Sequence, residues 1–317
     1  MKILVTTPTG KIGRRILPDL LAPEFSIRVL AREPQRLARE IREQVHVIRG
    51  SSDDPAALRR ALDGVESLFW CVPAESLQET KVEQHYERFA YMAWQAIREA
   101  GTSRVVTISA GGKRHARQEG PISGLHAMEE ILNDSGAAIR HLRCGFIMEN
   151  FLSQLPSICE RGLLSYPIPG DVPMPMIAAG DIADAALWRL VRRDWNGIES
   201  VTLSGAGAVT FNQAAAVMEQ ILDRPVRYQE ASANQFIATL VEYGSSVEYA
   251  HGQVLMFSEL ARTVMDAEPA VTEIETPMTL VDWAVKELRP AVDSYPLSNT
   301  ETKRYGTSKR EIQFQKC

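Results

Sequence analysis

Short apolar runs alternate with longer amphipathic segments through about the first 145 residues of the chain. The short runs have the length of buried strands, and the longer segments repeat apolar positions at helical spacing. Strands that alternate with helices are typical of a parallel sheet with helices on both faces, and right-handed crossovers make it a doubly wound α/β fold. The predicted strands are 2–6, 26–31, 45–48, 67–72, 104–109 and 138–142, and the predicted helices are 11–21, 34–41, 55–62, 80–100 and 123–132.

The alternation ends near Phe146, and the rest of the chain is organised differently. Residues 155–176 are rich in proline and glycine, and a helix over 181–190 follows, with Asp181 as its expected N-cap. A short strand over 200–203 and helices over 212–222 and 233–243 come next. We therefore predict a parallel Rossmann domain over residues 1–150, a smaller C-terminal substrate lobe over 151–290 and a flexible tail over 291–317.

Composition narrows the class of protein without assigning an activity. The net charge of -5 gives no reason to expect a nucleic-acid partner, and no apolar run is long enough to predict a membrane span. The four cysteines are widely spaced and form no CxxC pair, which argues against a metal site and is typical of reduced thiols. A strand pattern begins at residue 2 in place of a signal peptide, so we expect a cytoplasmic protein.

A glycine-containing turn, Thr7-Pro8-Thr9-Gly10-Lys11-Ile12-Gly13, separates the first predicted strand from the first predicted helix. The glycines of a dinucleotide fingerprint permit a tight turn, close approach of the backbone to pyrophosphate and close packing of helix on strand. Gly10 and Gly13 suit the second and third needs, whereas Thr7 stands at the first position. Backbone N–H groups and the dipole at a helix start favour phosphate. The predicted cofactor contacts in this turn, if it is not a plain strand–helix connection, are Thr7, Thr9, Gly10, Lys11, Ile12 and Gly13.

The residues after the second strand favour NADP(H) over NAD(H). Sites for NAD usually place an acidic residue there to bind the ribose 2′-hydroxyl. Here Arg32 ends the strand and Arg36 lies about one helical turn further on, and a guanidinium pairs well with a 2′-phosphate. Glu33 weakens the preference, and the alternative is that both arginines are ordinary surface residues.

The ends of the third and fourth strands provide further candidate contacts to the cofactor. Ser52 and Asp53 stand where adenine is usually bound, although Asp53 or Asp54 equally suits the N-cap of the next helix. The fourth strand ends at the crevice predicted for the nicotinamide. Its candidate residues are Cys71, Val72 and Pro73.

Motifs along the chain resemble, in order, those of the NmrA-like group of atypical short-chain dehydrogenase/reductases, over residues 1–290. TPTGKIG stands where that family has GATGxxG, and LAREPQRL and GSSDDPAALRRALDGVESLFWCVP follow the second and third strands. HAMEEILNDSG and IRHLRCGFIMENFL resemble an HxxxE motif, a Leu-Arg-Pro-Gly strand end and a Glu-Asn pair. DIADAALWRL and VTLSGAGAVTFNQAAAVMEQILDRPV resemble later segments of the family. The resemblance implies a Rossmann fold that binds NAD(P).

The resemblance also implies that the usual catalytic acid is missing. Conventional short-chain dehydrogenases use a Tyr-x-x-x-Lys pair, in which the tyrosine donates a proton and the lysine lowers its pKa and binds the nicotinamide ribose. Here His126 takes the lysine position and Ile122 takes the tyrosine position. His126 is therefore the candidate catalytic group, because imidazole exchanges a proton near neutral pH, and the alternative is a structural histidine. Ser109, at the end of the fifth strand, is a further candidate contact to the nicotinamide.

Residues that follow the sixth strand are candidates for the substrate wall, because open α/β sheets bind ligands beyond the carboxyl ends of their strands. Phe146 and Phe151 would equally suit the core, and the sequence leaves both interpretations of these two residues open. The candidate substrate residues are Phe146, Met148, Asn150, Phe151 and Met176.

Two classes of function follow from the resemblance. Some NmrA-like proteins are NAD(P)H-dependent reductases of quinones, azo dyes, imines or enones, and others are redox sensors that bind NAD(P) and control a protein partner. Hydride transfer to an electron-poor acceptor does not require the missing tyrosine, because the acceptor drives the reaction and water supplies protons. We therefore expect an NADPH-dependent reductase of a small, mostly apolar organic substrate, with a redox sensor of little or no turnover as the alternative.

Overall fold

The computed structural model describes residues 1–111, 120–265 and 277–296. Its largest element is a seven-stranded sheet in which every neighbouring pair is parallel. Counted along the chain, these strands lie in the spatial order 7-6-5-4-1-2-3, so the chain crosses the sheet once, beside its first strand. The prediction of a doubly wound parallel sheet is confirmed. The seven strands are Lys2–Thr6, Ser26–Ala31, His46–Arg49, Ser67–Trp70, Arg104–Ala110, Ala138–Cys144 and Ile198–Leu203.

Apolar side chains cover both faces of this sheet, as a parallel sheet between two helical layers requires. One core contains Ile3 and Val5 from the first strand, and the helices Gly13–Ile16 and Ala179–Val191 pack on it. The other core contains Leu4, because successive side chains of a strand point to opposite faces. The helices on that second face are Pro55–Leu62, Val82–Ala100 and Pro121–Asn133.

Two predicted helices on the face of Ile3 and Val5 are shorter in the structure than the sequence indicates. Helix 11–21 is an α-helix over Gly13–Ile16 followed by a 3₁₀ turn over Pro18–Leu20, because a proline cannot donate the hydrogen bond that would continue the helix. Helix 34–41 is a 3₁₀ turn over Pro34–Arg36 and an α-helix over Arg39–Arg42. Between them Leu37 has an extended backbone, and its side chain is buried in the core.

The segment that forms the seventh strand lies beyond the sequence boundary at residue 150. Helix Ala179–Val191 packs on the core that contains Ile3 and Val5, and strand Ile198–Leu203 is the edge strand of the large sheet. The chain therefore enters the second lobe, returns to complete the sheet and then leaves again. Asp181 does not cap this helix, which begins two residues earlier at Ala179. The Asp181 carboxylate instead accepts a hydrogen bond of 2.9 Å from the backbone N–H of Met278.

The second lobe is built around a separate core of aromatic residues. Phe146 lies 5.0 Å from Phe151 and 5.4 Å from Phe211, measured between ring centroids, and Trp283 lies 5.8 Å from Phe151. Capping boxes at Thr210, Ser232 and Thr279 start three of its helices. The helices of the lobe are Leu155–Arg161, Phe211–Leu222, Ala233–Glu242, Val247–Met265, Leu280–Trp283 and Arg289–Asp293, with a 3₁₀ segment over Met148–Gln154 and a π-helical turn over Ala284–Leu288.

Two small sheets connect the parts of this lobe. The first contains Phe146–Ile147, Met174–Ile177 and Ala208–Val209, and the second pairs Leu163–Leu164 with Arg227–Tyr228. Of the predicted tail over 291–317, residues 297–317 lie outside the described residues. Within the described residues, the helices are all too short or too polar to cross a membrane.

A buried histidine links two strands to the helix above them. The hydroxyl of Thr107 donates to Nδ1 of His141 over 2.7 Å, and Nε2 of His141 donates to Oδ1 of Asn133 over 3.0 Å. Burial lowers the pKa of His141 to about 4, although the nearby Glu129 carboxylate acts in the opposite direction. The ring is therefore neutral in the folded protein at neutral pH, and its tautomer follows from these two partners.

We predict that this histidine makes the protein less stable in mild acid. Between the pKa of about 4 in the folded state and 6.5 in the unfolded state, only the unfolded chain binds the proton, so stability falls as the pH drops below 6.5. At pH 5 the loss is about 2 kcal/mol. Urea unfolding of the wild type and of His141→Gln at pH 7 and pH 5 measures this loss, which the variant should lack. An equal loss in both proteins would contradict the prediction.

Candidate functional site

The turn after the first strand forms the centre of the carboxyl edge of the sheet. Thr7 has a φ of 47°, a conformation that strongly favours glycine, and its carbonyl accepts a hydrogen bond of 2.9 Å from the N–H of Gly10. The tight turn is therefore made here with a threonine at the position where the fingerprint usually has its first glycine. Holding a threonine in this conformation costs about 1 kcal/mol or more.

The helix start after this turn provides N–H groups that suit an anion. A Cβ atom on Gly13 would lie 2.3 Å from the carbonyl oxygen of Thr7, so only glycine permits the helix to pack this closely on the strand. Among the described residues, no acceptor pairs with the N–H groups of Lys11 and Ile12. Unpaired N–H groups at a helix start favour an anion such as a phosphate group.

The predicted contacts to the adenosine half lie on the neighbouring strand ends. Arg32 and Arg36 are both exposed, and neither forms an ion pair within the described part of the chain. Ser52 is buried at the end of the third strand. Asp54 is the N-cap of helix Pro55–Leu62, since it accepts from two N–H groups at 2.9 and 3.2 Å, and Asp53 is an exposed neighbour that does not cap the helix.

The end of the fourth strand is held by hydrogen bonds on both sides. The hydroxyl of Thr6 donates to the carbonyl of Phe69 over 2.9 Å and accepts from the N–H of Cys71 over 3.1 Å. Val72 is buried, and the carbonyl of Pro73 accepts from Nε2 of His85 over 2.8 Å. The predicted nicotinamide contacts Cys71, Val72 and Pro73 therefore lie on a fixed segment beside the turn.

His126 is buried below the end of the fifth strand. Its Nε2 donates to the carbonyl of Ala110 over 3.1 Å, and 4% of the residue is exposed. This contact fixes the backbone where the strand ends, in keeping with the structural alternative. Ile122, at the position of the missing tyrosine, is buried and carries no exchangeable proton.

The Ser109 hydroxyl faces a charged pair under helix Pro121–Asn133. Nε of Arg143 donates to the Glu129 carboxylate over 2.9 Å. Burial by itself would raise the pKa of Glu129, but the hydrogen bonds from Arg143 contribute to a pKa below the usual value. Glu129 is therefore an ionised acceptor, and Ser109 is buried beside it.

Of the five candidate substrate residues, four are buried in the structure and one is partly exposed. Phe146, Met148, Phe151 and Met176 are each at most 3% exposed and form part of the second core, so in this conformation their side chains have almost no surface for a ligand. They therefore form part of the core, which for Phe146 and Phe151 is the second of the two interpretations that the sequence left open. Asn150 is partly exposed, and its Oδ1 lies 3.3 Å from Nζ of Lys11 in the turn.

Sequence reasoning missed the charged residues behind the turn. Arg15 lies in the first helix and forms an ion pair with the buried Glu149 and another with Glu287. From the Glu-Asn pair in the sequence, only Asn150 was predicted as a site residue, and Glu149 was not. No group of three or more histidine, cysteine, aspartate or glutamate residues suited to a metal occurs within residues 1–111, 120–265 and 277–296.

The chain is similar to a known protein family and to several of its reductases. Residues 1–285 match the model of the NmrA-like family. The chain is 30% identical over 277 residues to the (4-alkanoyl-5-oxo-2,5-dihydrofuran-3-yl)methyl phosphate reductase of Streptomyces griseus subsp. griseus, covering 86% of this chain and 92% of that protein. It is 28% identical over 246 residues to quinone oxidoreductase 2 of Escherichia coli, covering 76% and 82%. The crystal structure of the Escherichia coli NADPH-dependent quinone oxidoreductase with NADPH has the same fold, with a TM-score of 0.74, 24% identity, and coverage of 90% of this chain and 99% of that one.

We predict that Gly13→Ala displaces the turn. The new methyl group would lie 2.3 Å from the Thr7 carbonyl oxygen, a backbone atom that cannot rotate away. We expect a loss of about 1–3 kcal/mol in unfolding free energy, despite a gain of up to about 1 kcal/mol in helix propensity, and weaker binding of a dinucleotide.

Gly180→Ala is the matched control, because Gly180 also lies in the first turn of a helix and a Cβ there would meet no atom within 4 Å. Urea unfolding and calorimetric titration with NADPH measure the two effects. Equal behaviour of the two variants would contradict the steric argument.

Proposed function

Because the chain belongs to the NmrA-like family, we propose that it is an NADPH-dependent reductase of a small, electron-poor organic acceptor. The observation that carries the proposal is the turn after the first strand. In this turn, the backbone N–H groups of Lys11 and Ile12 have no acceptor among the described residues. Gly13 allows the backbone of the first helix to approach the strand closely. This is the arrangement that pyrophosphate requires.

The residues at the sheet edge fit NADP(H) along its whole length. Lys11, Ile12 and Gly13 would hold the pyrophosphate, and the exposed Arg32, assisted by Arg36, would pair with the 2′-phosphate. Cys71 and Pro73 would border the nicotinamide half. The quinone oxidoreductase of Escherichia coli, which shares this fold, holds NADPH in its crystal structure, and this supports the choice of cofactor. When bound, the reduced cofactor supplies a hydride.

The residue at the position of the missing tyrosine supports the acceptor class. Because Ile122 stands there, that position provides no phenol to protonate an alkoxide as it forms. An acceptor whose reduced form is a stabilised anion, such as a quinone or a conjugated enone, needs no such donor. The name of the Streptomyces griseus relative describes a ring C=C bond conjugated with two carbonyl groups, which supports this class.

His126 and Asn150 have different places in the proposal. His126 holds the carbonyl of Ala110, and we propose that it contributes to the nicotinamide site without being an obligatory acid. Asn150 is the candidate substrate residue that combines partial exposure with a contact to Lys11. We propose that it borders the substrate beside the turn.

The experiment that tests the function is NADPH oxidation against matched pairs of acceptors. We expect turnover with a quinone and with an acyl-substituted unsaturated lactone, and at least about 100-fold less with the saturated ketone and lactone of the same size, which need a proton donor. Equal rates with an enone and its saturated ketone would contradict the acceptor class. Tight binding of NADPH without turnover of any acceptor would replace the reductase by the redox-sensor alternative.

We predict that Arg32→Ala distinguishes the two nicotinamide cofactors. Loss of a charge-assisted contact to the 2′-phosphate should weaken NADPH binding by about 1.5–3 kcal/mol and leave NADH binding nearly unchanged. Arg36→Ala should give a smaller loss in the same direction. Calorimetric titration with both cofactors measures the difference, and equal losses for NADPH and NADH would rule out a 2′-phosphate contact.

A further inference from the structure

Arg15 connects the turn to two acidic residues of the second lobe. Its guanidinium donates from Nη1 to the backbone carbonyl of Lys11 over 2.6 Å. Nη2 lies 3.2 Å from Oε1 of Glu149 and 2.8 Å from Oε1 of Glu287. One side chain therefore contacts the turn, the segment that follows the sixth strand and the π-helical turn Ala284–Leu288.

Glu149 is the fixed point of this arrangement. Its side chain is 1% exposed, and its Oε2 accepts a hydrogen bond of 2.8 Å from the N–H of Ala179, the first residue of a helix. A buried carboxylate requires a cation or several donors, and Arg15 provides the cation. Because Glu149 is held by the helix start and by Arg15 together, it fixes the direction in which the guanidinium points.

The contact to Lys11 determines which way one peptide group of the turn faces. In a trans peptide the C=O and the following N–H point in opposite directions, so the carbonyl of Lys11 on Arg15 turns the N–H of Ile12 the other way. A turn that binds pyrophosphate must present N–H groups and keep its carbonyl oxygens away from the anion. Arg15 occupies the carbonyl that would otherwise be free to rotate toward the ligand.

We propose that Arg15 is a positioning residue, which holds the turn in the conformation that binds the dinucleotide. Glu149 and Glu287 in turn hold the Arg15 side chain in place. The proposal rests on the proposed function, because it concerns the same cofactor site. It makes the affinity for the cofactor depend on Glu287, a partly exposed carboxylate of the second lobe. It also requires NADPH and NADH to be affected alike, since both carry the pyrophosphate, and this separates Arg15 from Arg32.

Four variants of the full-length chain test the proposal by calorimetric titration with NADPH and NADH. Arg15→Met should raise the Kd for both cofactors by about tenfold, Arg15→Lys should restore part of the loss, and Glu287→Gln should raise both values by about threefold. Arg14→Met is the matched control, because Arg14 is an exposed neighbour in the same short helix, and it should change neither Kd. Glu287→Gln keeps the test valid if Arg15→Met does not fold, because it leaves Glu149 paired.

Kinetics and thermal unfolding separate positioning from a purely structural ion pair. At saturating NADPH, kcat and the KM for the acceptor should stay within about twofold of the wild type in Arg15→Lys and Glu287→Gln, whereas the KM for NADPH should rise. A lower Tm with both Kd values unchanged would overturn the proposal and leave only an ion pair between the lobes. A wild-type protein that does not bind NADPH would refute the proposed function itself, whereas binding without turnover would refute the reductase and leave the role of Arg15 measurable.

Discussion

The close contact between Gly13 and the carbonyl of Thr7 is the constraint on which the site depends. The first strand lies in the middle of a sheet that is buried on both faces, so the chain must leave it by a turn that has little freedom. That turn places Thr7 at a φ of 47° and brings the first helix so close that a single methyl group would not fit. The direction of the first helix, and with it the direction of the N–H groups at its start, follows from this contact. The strand ends on either side then bring Arg32, Arg36 and the segment that we propose borders the nicotinamide close to this turn.

The second constraint is the buried carboxylate of Glu149, which couples the two lobes. Burying a charge is costly unless it is paired and hydrogen-bonded, and here Arg15 forms an ion pair with one oxygen while the start of helix Ala179–Val191 donates a hydrogen bond to the other. The three elements come from distant parts of the chain, so each is held in place by the other two. The backbone close to Glu149 is equally restricted, because a Cβ atom on Gly145 would lie 2.3 Å from the carbonyl oxygen of Pro175. Backbone packing and this ionic centre therefore both contribute to the contact between the lobes, directly behind the turn that we propose binds the cofactor.

The sequence predicted the sheet, its helices and the turn because these are encoded in local patterns. Period-two and helical spacing of apolar residues identify strands and helices, and glycines at fixed offsets identify the turn. The interruption of the first helix at Pro18 has a local cause, because proline lacks the N–H that would continue the helix. The extended backbone at Leu37 instead depends on burial in a core that the local sequence does not describe. The pairing of Arg15 with Glu149 and Glu287 joins residues more than a hundred positions apart, and no spacing rule reports such contacts. The same limit explains why Phe146 and Phe151 could be read equally well as core or as substrate wall.

The polar groups near the end of the fifth strand bear on the kind of acceptor that the proposed reductase can use. Glu129 is ionised and paired with Arg143, His141 is neutral and held between Thr107 and Asn133, and His126 donates to a backbone carbonyl. Glu129 and His141 exchange protons with a ligand only after breaking those hydrogen bonds. If water delivers the proton in the reductase that we propose, this is sufficient when the reduced acceptor is a stabilised anion and insufficient when it is an alkoxide. For the reductase that we propose, selection among acceptors would then depend on how the residues beside the turn, which the contacts of Gly13 and Arg15 hold in place, receive the acceptor.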